Sequence, residues 1–206
     1  PLPGPESPGQ QGETFSCMAA TERGRAILLF FAWQAKPNRG QIMPETIRIN
    51  SVTRVVVMSQ DNPPAAYVPQ GVPVVFETLD AFGNALRSED DLFSSAGPDC
   101  VNPATGPVFI EDAEPGDMLR VDILDIQLAE RGLIATMPGL GEMGDRVVER
   151  TRFVPIEKGK ACFEWQTASG VLRRELPIRP MIGVIGVAPA GEAELTDFPG
   201  RHGGNM

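Results

Sequence analysis

From residue 46 onward apolar and polar positions alternate with a period near two, and few windows carry a helical period. I-R-I-N-S-V-T-R-V-V-V-M (47–58) alternates, turns solidly apolar, and predicts a strand. D-N-P-P (61–64) breaks it. In A-Y-V-P-Q-G-V-P-V-V-F-E-T (66–78) strand-type residues are interrupted by Pro69 and Pro73, which suits an edge strand or strand ends. V-F-I-E-D-A-E-P-G-D-M-L-R-V-D-I-L-D-I (108–126) predicts two strands joined by A-E-P-G-D. Pro115-Gly116 there sets a type II turn, with Pro fixing φ and Gly supplying a positive one. On the second strand Leu119, Val121 and Ile123 point into a core, and Met118, Arg120, Asp122 and Leu124 point away. V-P-I-E-K-G-K-A-C-F-E-W (154–165) predicts a hairpin turning at Glu157-Lys158-Gly159. L-P-I-R-P-M-I-G-V-I-G-V-A-P-A (176–190) is apolar, and Gly183 and Gly186 let another backbone or a ligand come close. Ser88 with the acids after it predicts the start of a short helix over 88–93. The fold class is therefore mainly β, with loops carrying the chemistry.

Composition narrows the picture. At 206 residues the chain suffices for one large domain or two small ones. Gly 22 and Pro 20 are high but spread along the chain, as many turns between short strands require. A net charge of −9 argues against binding a phosphate backbone, which needs clustered cations; the one dense basic pair is Arg173-Arg174. Cys17, Cys100 and Cys162 are widely spaced with no CxxC, so reduced thiols and a cytoplasmic location are the expectation. No apolar run reaches the roughly 18 residues that span a bilayer, and no membrane partner is expected. R-G-R-A-I-L-L-F-F-A-W-Q-A (23–35) imitates a signal peptide but starts well inside the chain, and reads as a buried strand or short helix. The opening P-L-P-G-P-E-S-P-G-Q-Q-G (1–12) reads as a flexible lead or an upstream translation, with Met18 and Met43 as alternative starts, and residues 1–43 are expected to be a flexible or non-family segment. The β domain is expected over 44–206, incomplete at its C-terminal end.

Four stretches carry candidate chemistry. In E-T-L-D-A-F-G-N-A-L-R-S-E-D-D (77–91), Glu77 and Asp80 sit three apart where an apolar strand ends. Carboxylates so placed can bind a metal or move protons, and equally are the solvated acids that flank turns. N-P-A-T-G-P (102–107) predicts a rigid, exposed turn around Thr105, structural or pocket-lining. P-M-I-G-V-I-G-V-A-P-A (180–190) lacks the G-x-G-x-x-G spacing of a dinucleotide loop, so close backbone packing explains its glycines. F-P-G-R-H-G-G-N-M (198–206) holds the sole histidine of the chain, His202, in a glycine turn. An imidazole can serve as zinc ligand or general base. With one His, any metal needs carboxylates or water beside it, which points to Glu77 and Asp80.

In this order, V-V-F-E-T-L-D-A-F-G-N-A-L-R-S-E-D-D-L, C-V-N-P-A-T-G-P-V-F-I-E-D-A-E-P-G-D-M-L-R-V-D-I-L-D-I, R-P-M-I-G-V-I-G-V-A-P-A and P-G-R-H-G-G-N-M resemble the acetamidase/formamidase family across about residues 46–206. The resemblance implies a β-sandwich-like domain with short helices and long loops. It implies hydrolysis of small linear amides such as formamide or acetamide to a carboxylate and ammonia, assisted by a divalent metal, zinc by family habit. It also implies a homodimer or higher homo-oligomer. The family motif reads H-G-G-N-M-D and members continue further, so the chain resembles a front half. Carried over by position, Glu77 and His202 are the catalytic candidates, and Glu77, Asp80 and His202 the metal ligands. Thr105, Gly203, Gly204 and Asn205 are the substrate-binding candidates, the two glycines through loop N–H groups that could hold an oxyanion. The competing expectation is a truncated, non-catalytic β-sandwich that binds small molecules or scaffolds an oligomer. A serine or cysteine amidase is disfavoured, since G-x-S-x-G is absent.

Overall fold

The computed structural model describes residues 46–97 and 101–205, together with the backbone of Phe15–Met18 and Ile27–Leu29. Those two segments are β1 and β2. The expectation of a flexible lead over 1–43, Cys100, and the Cys17 side chain lie outside the described residues. In chain order there follow β3 (Ile47–Ile49), β4 (Arg54–Val55), β5 (Val57–Met58), β6 (Ala66–Val68), β7 (Val74–Phe76), β8 (Ala104–Thr105), β9 (Val108–Ile110) and β10 (Met118–Val121). Then come β11 (Arg131–Thr136), β12 (Arg150–Glu157), β13 (Lys160–Thr167), β14 (Gly170–Pro177), β15 (Val184–Val187), β16 (Glu194–Leu195) and β17 (Gly203–Asn205). Among the described residues helix is limited to 3-10 turns at Phe93–Ser95 and Gly144–Arg146, so the mainly-β expectation holds. None of their helices is long and apolar enough to cross a membrane.

Two sheets dominate. One has five strands in the order β17-β15-β2-β9-β6; the other is a meander, β11-β12-β13-β14. Shorter pairs complete the fold: β3 with β7, β4 with β8, β5 with β16 and β1 with β10. The main core lies where the five-stranded sheet meets the β3–β7 pair. Ile49, Phe76, Val68, Val108 and Val187 are buried there, with Leu119 and Val121 of β10 packed against them. Each such side chain, fully buried, stabilises the fold by about 1.5–3 kcal/mol. A second cluster, Met58, Ala104 and Val184, sits under β5, β8 and β15.

Much of the local reading is realised. Pro69 follows β6, an edge strand, and Pro73 precedes β7, so neither removes a ladder donor. Gly116 has φ +100° in the 114–117 turn, closed by Asp117 N–H to Glu114 O at 3.1 Å. Lys158 (φ +49°) and Gly159 (φ +74°) form the two-residue turn between β12 and β13.

Four expectations give way. The single strand over 47–58 is broken at Asn50: its Oδ1 accepts the Val52 N–H at 2.9 Å, and its carbonyl accepts Thr53 N–H at 3.0 Å. The side chain thus replaces a ladder partner and turns the chain. The turn at 102–107 is not exposed. Residues 103–108 are buried, with Ala104-Thr105 in a strand and a cis Gly106-Pro107 bond. The helix expected from Ser88 starts later, at Phe93, because Asp91 Oδ2 takes the Arg87 and Ser88 N–H groups at 2.7 and 2.8 Å and closes a turn instead. Finally, Ile123 lies past the end of β10 and is 37% exposed.

Candidate functional site

The sequence-selected residues reach their places through different strands. Glu77 continues β7: its N–H donates to Ile49 O at 2.9 Å, extending the parallel pairing with β3. Its carboxylate is gripped on both oxygens. Arg48 Nη1 lies 2.8 Å from Oε1, and Asn50 Nδ2 donates to Oε2 at 3.1 Å. Arg48 on β3 and Asn50 just past its end lie two apart, and both reach the same acid. Thr105, 1% exposed, donates its hydroxyl to the Glu77 carbonyl at 2.9 Å, which ties β8 to this segment. Here Thr105 acts on the backbone that carries Glu77.

Asp80 makes a reciprocal turn with Asn84. Asp80 Oδ1 accepts the Phe82 and Asn84 N–H groups at 2.9 and 2.8 Å, while Asn84 Oδ1 accepts the Asp80 N–H at 3.0 Å. Asn84 has φ +57°, a conformation Asn tolerates better than most residues. These elements open onto a cleft of about 1040 Å³. Its walls include Glu77 and Asp80, Asn102 and Pro103, Arg131 and Phe153 of the meander, and Ile182–Val184. Three of the four recognised motifs therefore meet at one surface. Gly183 has open space around its Cα, whereas a Cβ on Gly186 would strike Met58 Sδ and sit 2.7 Å from His202 O. Of the two glycines, Gly186 is the one required by backbone packing.

The fourth motif lies beside this wall rather than in it. Asn205 is paired with the cleft-lining Val184 across β15–β17. Gly203 and Gly204 have φ +115° and +127°. A Cβ at Gly203 would strike Ile185 O, so this glycine brings β17 against β15, and one at Gly204 would strike Phe198 O, so that glycine brings β17 against the 198–199 segment. The Gly203 N–H points to Gly200 O at 3.4 Å, and Gly204 pairs with Ile185 in the ladder. His202 stands at the tip of the turn closed by Gly200 N–H to Gly203 O at 2.8 Å. Its carbonyl accepts Val187 N–H at 2.8 Å, and its Nδ1 lies 2.7 Å from Glu194 Oε1. The solitary imidazole is thus fixed at its backbone and at one ring nitrogen.

Glu194 carries no distinguishing signal in the sequence. It stands eight residues before His202 among the other acids of E-A-E-L-T-D, and only the turn at Gly200 brings the two together. Glu194 is held on β16 by pairing with Met58 of β5.

Each of the expected zinc ligands has partners of its own. Glu77 engages Arg48 and Asn50, Asp80 engages its own turn, and His202 engages Glu194. Among the described residues no group of three or more His, Cys, Asp or Glu side chains is arranged to hold a metal ion. Glu77, Asp80 and His202 do not form one donor set in this structure. Cys162 is free and buried in the meander. Arg173, half of the basic pair, is neutralised by Glu157, Glu164 and Glu175.

Comparison with known proteins bears on this arrangement. A family model described as the Acetamidase/Formamidase family matches residues 57–197. A Schizosaccharomyces pombe protein described as a formamidase is 30% identical over 151 residues, covering 69% of this chain and 36% of the relative. The crystal structure of an acetamidase from Bacillus halodurans superposes with a TM-score of 0.70 at 39% identity, over 78% of this chain and 52% of that one. A predicted acetamidase/formamidase from Thermoanaerobacter tengcongensis gives 0.70 at 38%, with the same coverage. An acetamidase from Yersinia enterocolitica, at 24% identity and TM-score 0.62, supports the fold alone. The chain spans about a third of the yeast relative and about half of each solved structure. With the match running through the cleft-lining motifs, the chain belongs to the acetamidase/formamidase family.

Proposed function

We propose that the protein takes part in hydrolysing small linear amides, of the formamide or acetamide type, to a carboxylate and ammonia. The observation that carries this reading is the family match over residues 57–197, whose E-T-L-D, N-P and M-I-G-V stretches line a single cleft. Amide hydrolysis requires a group that takes a proton from the attacking water and a group that returns one to the leaving nitrogen. Glu77, oriented by Arg48 and Asn50, and the His202 imidazole are assigned these tasks. Asn205, beside Val184 at the cleft wall, is assigned to orienting the amide. A cytoplasmic homodimer or higher homo-oligomer belongs to the same proposal.

A divalent metal in this site requires donors beyond Glu77, Asp80 and His202, and no step is assigned to one. The second reading is a non-catalytic unit that binds small molecules or scaffolds an oligomer. One experiment decides between them: ammonia release from formamide, acetamide and propionamide by the whole gene product, with zinc content determined and with a chelator present or absent. Turnover supports the hydrolase; no turnover on any short amide, with or without added zinc, leaves the binding unit.

A further inference from the structure

We propose that Glu194 is a positioning residue for His202, holding the imidazole as its Nδ1–H tautomer so that Nε2 is the basic nitrogen. The assignment of a task to Nε2 rests on the hydrolase reading above; the tautomer does not.

An ionised carboxylate only accepts hydrogen bonds, so the 2.7 Å contact between Glu194 Oε1 and His202 Nδ1 is made when Nδ1 carries hydrogen. In the neutral ring the other nitrogen is then the one with the lone pair. Placing the lone pair on Nδ1 instead would set it against the carboxylate. Neither side chain is freely solvated: Glu194 is 29% and His202 21% exposed, so water competes weakly for the bond. Glu194 Oε2 is buried with no hydrogen-bond partner among the described residues, so no second donor draws the carboxylate away from the ring. The surroundings are shaped to this pair. A Cβ on Gly200 would sit 2.5 Å from Glu194 Oε2, so glycine there leaves the carboxylate its place. The backbone of each partner is separately anchored, Glu194 to Met58 and His202 to Val187. Orientation of an imidazole by a carboxylate on its far nitrogen is a general way of making the near nitrogen a competent base.

The test is long-range proton–nitrogen NMR of the imidazole in nitrogen-15-labelled protein above neutral pH, with His202→Gln identifying its signals. Wild type is expected to show a protonated Nδ1 and a lone-pair Nε2. Glu194→Gln, whose amide can donate, is expected to give a mixed or Nε2–H ring and to lower kcat for ammonia release at least about ten-fold, with KM little changed. Glu194→Asp should recover part of both, and carries the test if the Gln variant does not fold. A wild-type Nε2–H ring, or a Gln variant that keeps the wild-type tautomer and kcat, overturns the inference. If the tautomer shifts as expected but wild type releases no ammonia from any amide, the positioning stands and the hydrolase reading falls.

Discussion

The Thr105 hydroxyl donates to the Glu77 carbonyl at 2.9 Å, from a side chain 1% exposed. The part-buried carbonyl of a candidate catalytic acid is thereby satisfied by a residue 28 positions away. Thr105→Val keeps the shape and removes the donor, leaving that carbonyl unpaired. The expected cost is about 1–3 kcal/mol, read as a lower urea midpoint at unchanged m-value. Thr105→Ser keeps the hydroxyl and should recover part of it. Equal midpoints for the Val variant and wild type would show the bond to be unimportant.

Glu77 separates structure from chemistry. Its pair with Arg48 is partly solvated, at 45% and 26% side-chain exposure, so it contributes only about 0–1 kcal/mol. Glu77→Gln should therefore change the unfolding midpoint little, yet reduce ammonia release by about 100-fold or more if Glu77 moves protons. Unaltered turnover in a folded Gln variant removes Glu77 from the mechanism.

Gly204 admits no side chain. With φ +127° and Phe198 O occupying the Cβ position, Gly204→Ala forces backbone apart rather than a flexible side-chain end. A loss of about 2–4 kcal/mol is expected, as for other strained or overpacked sites. Gly183→Ala, where nothing lies within 4 Å of a Cβ, is the control and should be close to neutral in thermal unfolding.

Asp91 predicts an acid-limb effect. Backbone N–H groups of Arg87 and Ser88 hold its carboxyl below the usual aspartate range. A folded-state value below the unfolded one means the contribution is fully present above the unfolded pKa and is lost as pH falls through the folded one. The window therefore opens near pH 4 and extends downward. Asp91→Asn should flatten the fall in stability with acid there and leave the pH 6–8 region without added slope. Parallel acid limbs for variant and wild type would refute the assignment.

Local chemistry carried much of the fold. Pro69 and Pro73 mark strand ends because a residue without an N–H cannot sit inside a ladder, and the 158–159 turn is signalled by Gly159, which accepts positive φ freely. Those are properties of single residues. At 47–58 the same logic failed, since apolar alternation continues across Asn50 while its side chain makes the turn. The Pro and Gly that flank Thr105 predict an exposed turn; whether a rigid turn faces water or a core depends on what packs over it, here β4 and the Glu77 segment.

For this protein the sequence by itself determined the class of element, the turn positions and the motifs that tie it to its family. Strand periodicity and turn chemistry act over a few residues and leave their mark in order. Which acid meets His202 was decided by tertiary structure alone. Glu77 and Asp80 were the acids suggested by motif, but Arg48, Asn50 and the 80–84 turn occupy them, while the Gly200–Gly203 turn swings His202 back onto Glu194. A side chain's partner is set by the packing of β5, β15, β16 and β17 together, and no spacing along one strand encodes it.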